Sequence, residues 1–297
     1  MSKPAAPSPA LPSIPHCVSS EVGAGGLRRL VLNGAGGSAQ LYLHGCHVTS
    51  FQPTGADDLL WTSAHSAYAP GQPIRGGIPI CWPWFGPSPE PGRPAHGIAR
   101  LVEWEVQEAA RLADGRARVL LALPQALPPE MAAWLPSGVQ LRCQITVGAQ
   151  LQLCLETTNA GSAPLAIEDA LHSYFRVSDV RQIQVEGLAG MVYRDKCAAG
   201  ASRVQEGPVR FVGETDRVYA DRSPQVAICD GNRRITVAKS GSQSTVVWNP
   251  WVAKAAAMPD FGDDEWPGMV CVETANCLDG RVMLLPGTSH RTEVCIG

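Results

Sequence analysis

The chain has 297 residues, 45% hydrophobic and 17% charged, with a formal net charge of −3 and its 24 Lys and Arg forming no basic block. That composition can bury a large core and lacks the electrostatic footprint of a nucleic-acid or membrane-surface binder. No apolar run reaches the roughly 18 residues of a membrane helix, so the expected partner is a small molecule.

In chain order, the opening "MSKPAAPSPALPSIP" carries proline throughout and no apolar segment of signal-peptide type. Residues 1–19 are expected to form a flexible tail; length leaves one or two domains open for the rest, since about 150 residues per domain suggests two while all-β units of roughly 250 commonly stand alone. "GAGGLRRLVLNGAGG" is glycine-rich, but no helix pattern follows it, which argues against a nucleotide loop. The stretch "PIRGGIPICWPWFGPSPEPGRPAHGIAR", Pro73 to Arg100, is too rich in Gly and Pro for a helix and reads as a long shaped loop of the kind that carries function. It holds Arg75, Trp82, Trp84, His96 and Arg100.

Beyond it, period-two alternation dominates. "LRCQITV" and "LQLCLETT" read as a hairpin. The pairs "VEWEV"/"ARVLLAL" around "ADG", "QVAICD"/"RRITVA" around "GN", and "RVMLL"/"HRTEVCI" around "PGT" repeat that signature. Helices are expected only at "PPEMAAWLP" and near "DDEWPG". Many strands without alternating helices predict an all-β protein, a large antiparallel sandwich or barrel. The ten cysteines are scattered, form no C-x-x-C, and read as small buried thiols of a reducing cytoplasm.

Six polar residues stand where strands end or loops begin: Arg75, His96, Arg100, His172, Asp195 and Glu273. Each also has a plain structural reading. His172 lies among apolar neighbours and suits a hydrogen-bonded core histidine. Asp195 suits a turn, and the arginines could lie over Trp82 and Trp84. Glu273 ends an apolar strand, where a carboxylate without a partner is costly. P-loop, dinucleotide, nucleophile-elbow and H-E-x-x-H patterns are missing. His44 and His47 in "HGCH" lack further ligands at suitable spacing, so no metal and no cofactor are expected.

Taken in order, "RGGIPICWPWFG", "HGIAR", "LHSYFRVSD", "YRDK", "VVWNPW" and "VCVETAN" closely resemble the glucose-6-phosphate 1-epimerases, hexose-6-phosphate mutarotases of the aldose 1-epimerase superfamily. The resemblance spans about residues 20 to 297. It implies a single β-sandwich domain of the galactose mutarotase type with the sugar in a cleft on one sheet face. Carried over, the catalytic histidine falls on His172 and the catalytic glutamate on Glu273. Sugar and phosphate contacts fall on Arg75, Arg100 and Asp195, with His96 and the Trp82 or Trp84 wall beside them. Ala95 stands where some members have Gln, which removes one sugar hydrogen bond, and Ile98 stands where Phe is usual.

The implied activity is exchange of the α and β anomers of glucose 6-phosphate, or of other hexose 6-phosphates, by ring opening and closure. Glu273 would be the base on O1 and His172 the acid on the ring oxygen. From ordinary values near ~4.3 and ~6.5, the glutamate base needs no tuning and the histidine acid needs some help. Two guanidinium forks could clamp the phosphate. The alternatives are a non-catalytic sugar-phosphate binding or regulatory protein, and an aldose 1-epimerase for neutral hexoses. A glycosidase is weaker, because Glu273 has no carboxylate partner in the sequence. A monomer is the default.

Overall fold

The computed structural model describes residue 11 and residues 13–88 and 90–297. Two eight-stranded antiparallel sheets dominate it, joined by a four-stranded sheet and a two-stranded ribbon. The first large sheet runs, edge to edge, through Ala201–Val204, Val192–Asp195, Thr215–Ala220, Ser244–Asn249, Met269–Asn276, Asp169–Leu171 and Ile80–Cys81. Tyr174–Arg176 also pairs with Met269–Asn276. The second runs through Gln184–Glu186, Gln225–Asp230, Arg233–Ser240, Ser289–Ile296, Leu151–Asn159, Val139–Val147, Ala117–Ala122 and Glu105–Arg111.

The period-two pattern does its expected work in the second sheet. Leu151, Leu153 and Leu155 all point into the core while their neighbours are half-exposed. Met269–Asn276 differs, since all eight residues are buried. A strand covered on both faces reads as a continuous apolar run. One of its faces, with Val270 and Val272, joins the core between the sheets; the other carries Cys271 and Glu273 beside His172.

Three of the four expected hairpins form, including Val139–Val147 with Leu151–Asn159. The fourth does not. Val282–Leu284 pairs with Leu165–Ile167 in the ribbon, whereas Ser289–Ile296 pairs with Leu151–Asn159 and Arg233–Ser240. The "PGT" turn therefore carries the chain from one sheet to another. Of the two expected helices, Pro129–Ala133 is one short α-helix, and the "DDEWPG" region holds a 3-10 turn at Trp266–Gly268. The helix Trp251–Ala256 was not foreseen.

Of the tail expected at residues 1–19, residues 1–10 and 12 lie outside the described residues. Cys17 and Val18 are buried, and Val18–Val22 pairs with Arg28–Gly34 in the four-stranded sheet, so folded structure begins before residue 20. All ten cysteines are free, and six of them are buried.

Apart from the two-residue strand Ile80–Cys81 and a 3-10 turn at its end, the described part of the Pro73–Arg100 stretch is irregular, as its composition requires, and two glycines explain its path. Gly77 has φ +60, and a Cβ there would meet the Val48 carbonyl oxygen at 2.2 Å. Gly97 has φ +72, and a Cβ there would lie 1.9 Å from the Trp82 carbonyl oxygen. Only glycine tolerates both the left-handed backbone and the close approach. Trp82 is fully buried between the sheets, where its Nε1–H donates to Thr157 Oγ1 at 3.1 Å.

Candidate active site

Sheet register fixes which side chains share the cleft. Directly opposed residues lie on one face, and consecutive residues on opposite faces. Val218 opposes Val246, which opposes Glu273; Asp216 opposes Trp248, which opposes Cys271. These two rows form the cleft floor. His172 follows directly on the Asp169–Leu171 strand next to Met269–Asn276, and its backbone N–H donates to the Pro79 carbonyl.

His172 Nε2 lies 3.3 Å from Glu273 Oε1. The imidazole stacks on Tyr174, with centroids 4.8 Å apart, while His96 and Trp248 meet it edge-on. His172 Nδ1 and Glu273 Oε2 are buried and have no hydrogen-bond partner among the described residues. Buried polar atoms are rarely left so, and these two mark where a polar ligand is wanted.

Electrostatics favours the neutral form of each member of the pair. Burial holds His172 well below the usual histidine range, and the charges of Arg100 and Arg75 push the same way. Burial likewise raises Glu273 well above the usual carboxylate range, with Asp216 adding to the rise and Lys196 and Arg100 opposing it. An unperturbed glutamate, expected from the sequence, is therefore not what the fold supplies. A fully buried carboxylate loses the water that would stabilise its charge. One proton shared across 3.3 Å still leaves one donor and one acceptor, which is what coupled acid and base chemistry needs.

His96 joins the cleft from the long loop. Its Nδ1 accepts from the Gly86 N–H at 3.3 Å, so the neutral ring carries its proton on Nε2. Burial, then Arg100, keeps His96 well below the usual range. Phe85 packs edge-on against His96, and Lys196 Nζ lies 5.5 Å from the Phe85 ring centre and 3.2 Å from an Asp216 carboxylate oxygen.

The two arginines are placed differently. Arg75 turns its fork onto Asp260 through Nε and Nη2, at 3.2 and 3.1 Å, and donates from Nη1 to the Tyr174 hydroxyl at 3.0 Å. Arg100 donates from Nη2 to the Ala95 carbonyl, its Nε is buried without a partner, and among the described residues no carboxylate pairs with it. Both charges reach His172, but Arg75 is tied to a carboxylate and a hydroxyl, whereas Arg100 meets a single backbone carbonyl among the described residues.

Asp195 stands apart from this group. It opposes Arg217, the neighbour of Asp216, and so lies on the other face of the sheet. Its Oδ1 accepts from Cys197 N–H at 3.1 Å, and its Oδ2 lies 3.7 Å from Arg203. Trp82 is likewise in the core between the sheets; Phe85, Tyr174 and Trp248 are the aromatic groups around His172 and His96. Sequence reading missed Asp216, Lys196 and these three aromatics. The signal for Asp216 was present in "ETDRVYA", where Asp216 and Val218 alternate on one strand face.

Comparison with known proteins bears on the family and the fold. A family model described as aldose 1-epimerase matches residues 28–296. A Cenchrus ciliaris protein named "Putative glucose-6-phosphate 1-epimerase" is 34% identical over 282 residues, 91% of this chain and 84% of its own length. A protein of the same name from Escherichia coli strain K12 is also 34% identical, over 80% of this chain and 79% of its own. The crystal structure of a "putative mutarotase" from Salmonella typhimurium superposes with a TM-score of 0.88 at 30% identity, covering 97% of this chain and 95% of that one. Matched by the family model over residues 28–296 and by relatives of 34% identity over most of both chains, the chain belongs to the aldose 1-epimerase family.

Proposed function

We propose that the protein exchanges the α and β anomers of glucose 6-phosphate. The observation that carries this reading is the His172–Glu273 contact at 3.3 Å on the cleft face, with Glu273 Oε2 and His172 Nδ1 unpartnered. Glu273 takes the proton of the C1 hydroxyl while His172 gives one to the ring oxygen. The C1–O5 bond breaks, the C1–C2 bond of the open aldehyde rotates, and closure on the other face returns both protons. Substrate-free, burial favours the proton on Glu273. Transfer along the direct contact supplies the carboxylate and imidazolium that ring opening uses, and the reverse step resets the pair. Positioned acid–base catalysis of this kind contributes roughly 10²–10⁴-fold.

The phosphate preference rests on Arg100. A phosphate monoester carries about −1.5 to −2 charges at neutral pH, and a guanidinium without a carboxylate partner is the natural group to meet it. Lys196 adds a second positive charge close enough to act on Glu273. Asp216 and the neutral His96, with its Nε2–H donor, are suited to sugar hydroxyls. Arg75 braces Tyr174 beneath His172, with Asp260 holding its fork.

The test is NMR magnetisation transfer between the anomers of glucose 6-phosphate and of glucose, with wild type and Glu273→Gln side by side. Acceleration for the phosphate alone, reduced at least ~10²-fold in the variant while sugar-phosphate binding persists, is the expected result. Equal acceleration of both sugars would overturn the phosphate preference. Near-normal turnover by Glu273→Gln would remove the base assignment.

A further inference from the structure

The cleft row beside Glu273 ends in a thiol that the proton transfers do not use. Cys271 lies two residues before Glu273 on the same strand, with its side chain on the same face. One ligand atom from each of His172, Cys271 and Glu273 lies within 4.8 Å of the others, and all three residues are buried. Imidazole, thiolate and carboxylate are the ligand set of a tetrahedral zinc-type ion. Zinc bonds of ~2.0–2.3 Å put tetrahedral ligands ~3.3–3.8 Å apart, so side-chain adjustments of about 1 Å bring this set onto one ion.

We propose that His172, Cys271 and Glu273 form an inhibitory site for a thiophilic divalent cation, Zn²⁺ or Cd²⁺, with the sugar's own place as its fourth position. Glu273 Oε2 and His172 Nδ1, buried and without partners, are the second observation that a ligand belongs there. Binding exchanges the Cys271 S–H proton for an S–metal bond and the Glu273 carboxyl proton for an O–metal bond, and releases both protons to solvent; no electron is transferred. The thiolate and carboxylate together balance the ion's two charges. Asp216 adds attraction, and Lys196 and Arg100 subtract from it. The ion takes the lone pairs that the acid and the base need, so it competes with the sugar. Mg²⁺ and Ca²⁺, which prefer all-oxygen ligands, are excluded by the same chemistry.

The test uses the full chain carrying Cys197→Ser, which removes the exposed thiol, with and without Cys271→Ala; Cys271→Ser serves as a second, near-isosteric variant. ZnCl₂ and CdCl₂ are titrated against anomer exchange, with MgCl₂ as control, and Cd²⁺ is followed by its thiolate charge-transfer absorption in the ultraviolet. The expected result is inhibition by Zn²⁺ and Cd²⁺, relieved by excess glucose 6-phosphate and by chelation. Loss of Cys271 should raise the inhibitory concentration at least ~10-fold and abolish the absorption band, each variant's own metal-free exchange rate serving as its reference. Inhibition or absorption unchanged in both Cys271 variants would overturn the site, as would failure of excess substrate to relieve inhibition. The absorption reads metal binding without any turnover, so it stands even if glucose 6-phosphate proves not to be the substrate.

Discussion

Arg75 and Arg100 stand at matching ends of one Gly- and Pro-rich loop, yet their surroundings divide their work. Asp260, 185 residues away in the chain, occupies the Arg75 fork; among the described residues the Arg100 guanidinium hydrogen-bonds to the Ala95 carbonyl alone. Losing a charge-assisted hydrogen bond costs about 1.5–3 kcal/mol. Arg100→Ala should therefore raise KM for glucose 6-phosphate by roughly 10- to 100-fold and leave the weaker binding of glucose unchanged. Steady-state kinetics on glucose 6-phosphate with direct binding of both sugars checks this, and an equal loss of affinity for both would place Arg100 away from the phosphate. His172 and Glu273 could be singled out in the sequence because six motifs stand in one order, and the structure brings the two side chains within 3.3 Å. Asp195 and Asp216 differ by a property that a motif does not contain: which face of a strand each occupies once neighbouring strands have paired.

Among the elements, His47–Pro53 shows how a strand position alters a titrating group. His47 is fully buried, its Nε2–H donates to the Gly76 carbonyl at 2.7 Å, and burial lowers its pKa to about 3. A group neutral in the folded state with so low a pKa contributes stability that is fully present above the unfolded value near ~6.5. That stability is lost as pH falls toward about 3, because the unfolded chain binds the proton first. Between pH ~7.5 and ~5 this one residue should cost about 2 kcal/mol of unfolding free energy. His47→Gln keeps the donor to Gly76 and cannot titrate, so its urea-derived stability should fall by that much less over the same interval. Parallel curves for the two proteins would refute the assignment. Alternation along a strand is written in the residues, and three hairpins were read from it correctly. The "PGT" pair failed because a turn's chemistry says that the chain bends, and not which strand lies across from it.

For the whole molecule, the fold depends on how the two large sheets meet, and Trp82 is one of the residues that joins them. Its indole fills the core and its N–H reaches Thr157 on the opposite sheet. Trp82→Ala should lower the unfolding free energy by about 3–5 kcal/mol while leaving KM for sugar phosphate nearly unchanged under conditions where the variant is folded. Denaturant titration with kinetics separates this from a sugar-wall role, which would show the opposite pattern. The sequence by itself determined the strand-rich class, the glycine positions that shape the long loop, and the motifs that carry His172, Glu273, His96 and Arg100. These are encoded locally, in periodicity, backbone freedom and short patterns. Only tertiary structure decided that residues from positions 96 to 273 share one cleft, that Asp216 faces it and Asp195 does not, and that Asp260 claims one arginine. It also decided that burial, and not the ordinary chemistry of the two side chains, sets where the proton of the His172–Glu273 pair rests. Contacts between distant strands and the exclusion of water arise only when the sheets have packed, and no stretch of sequence contains them.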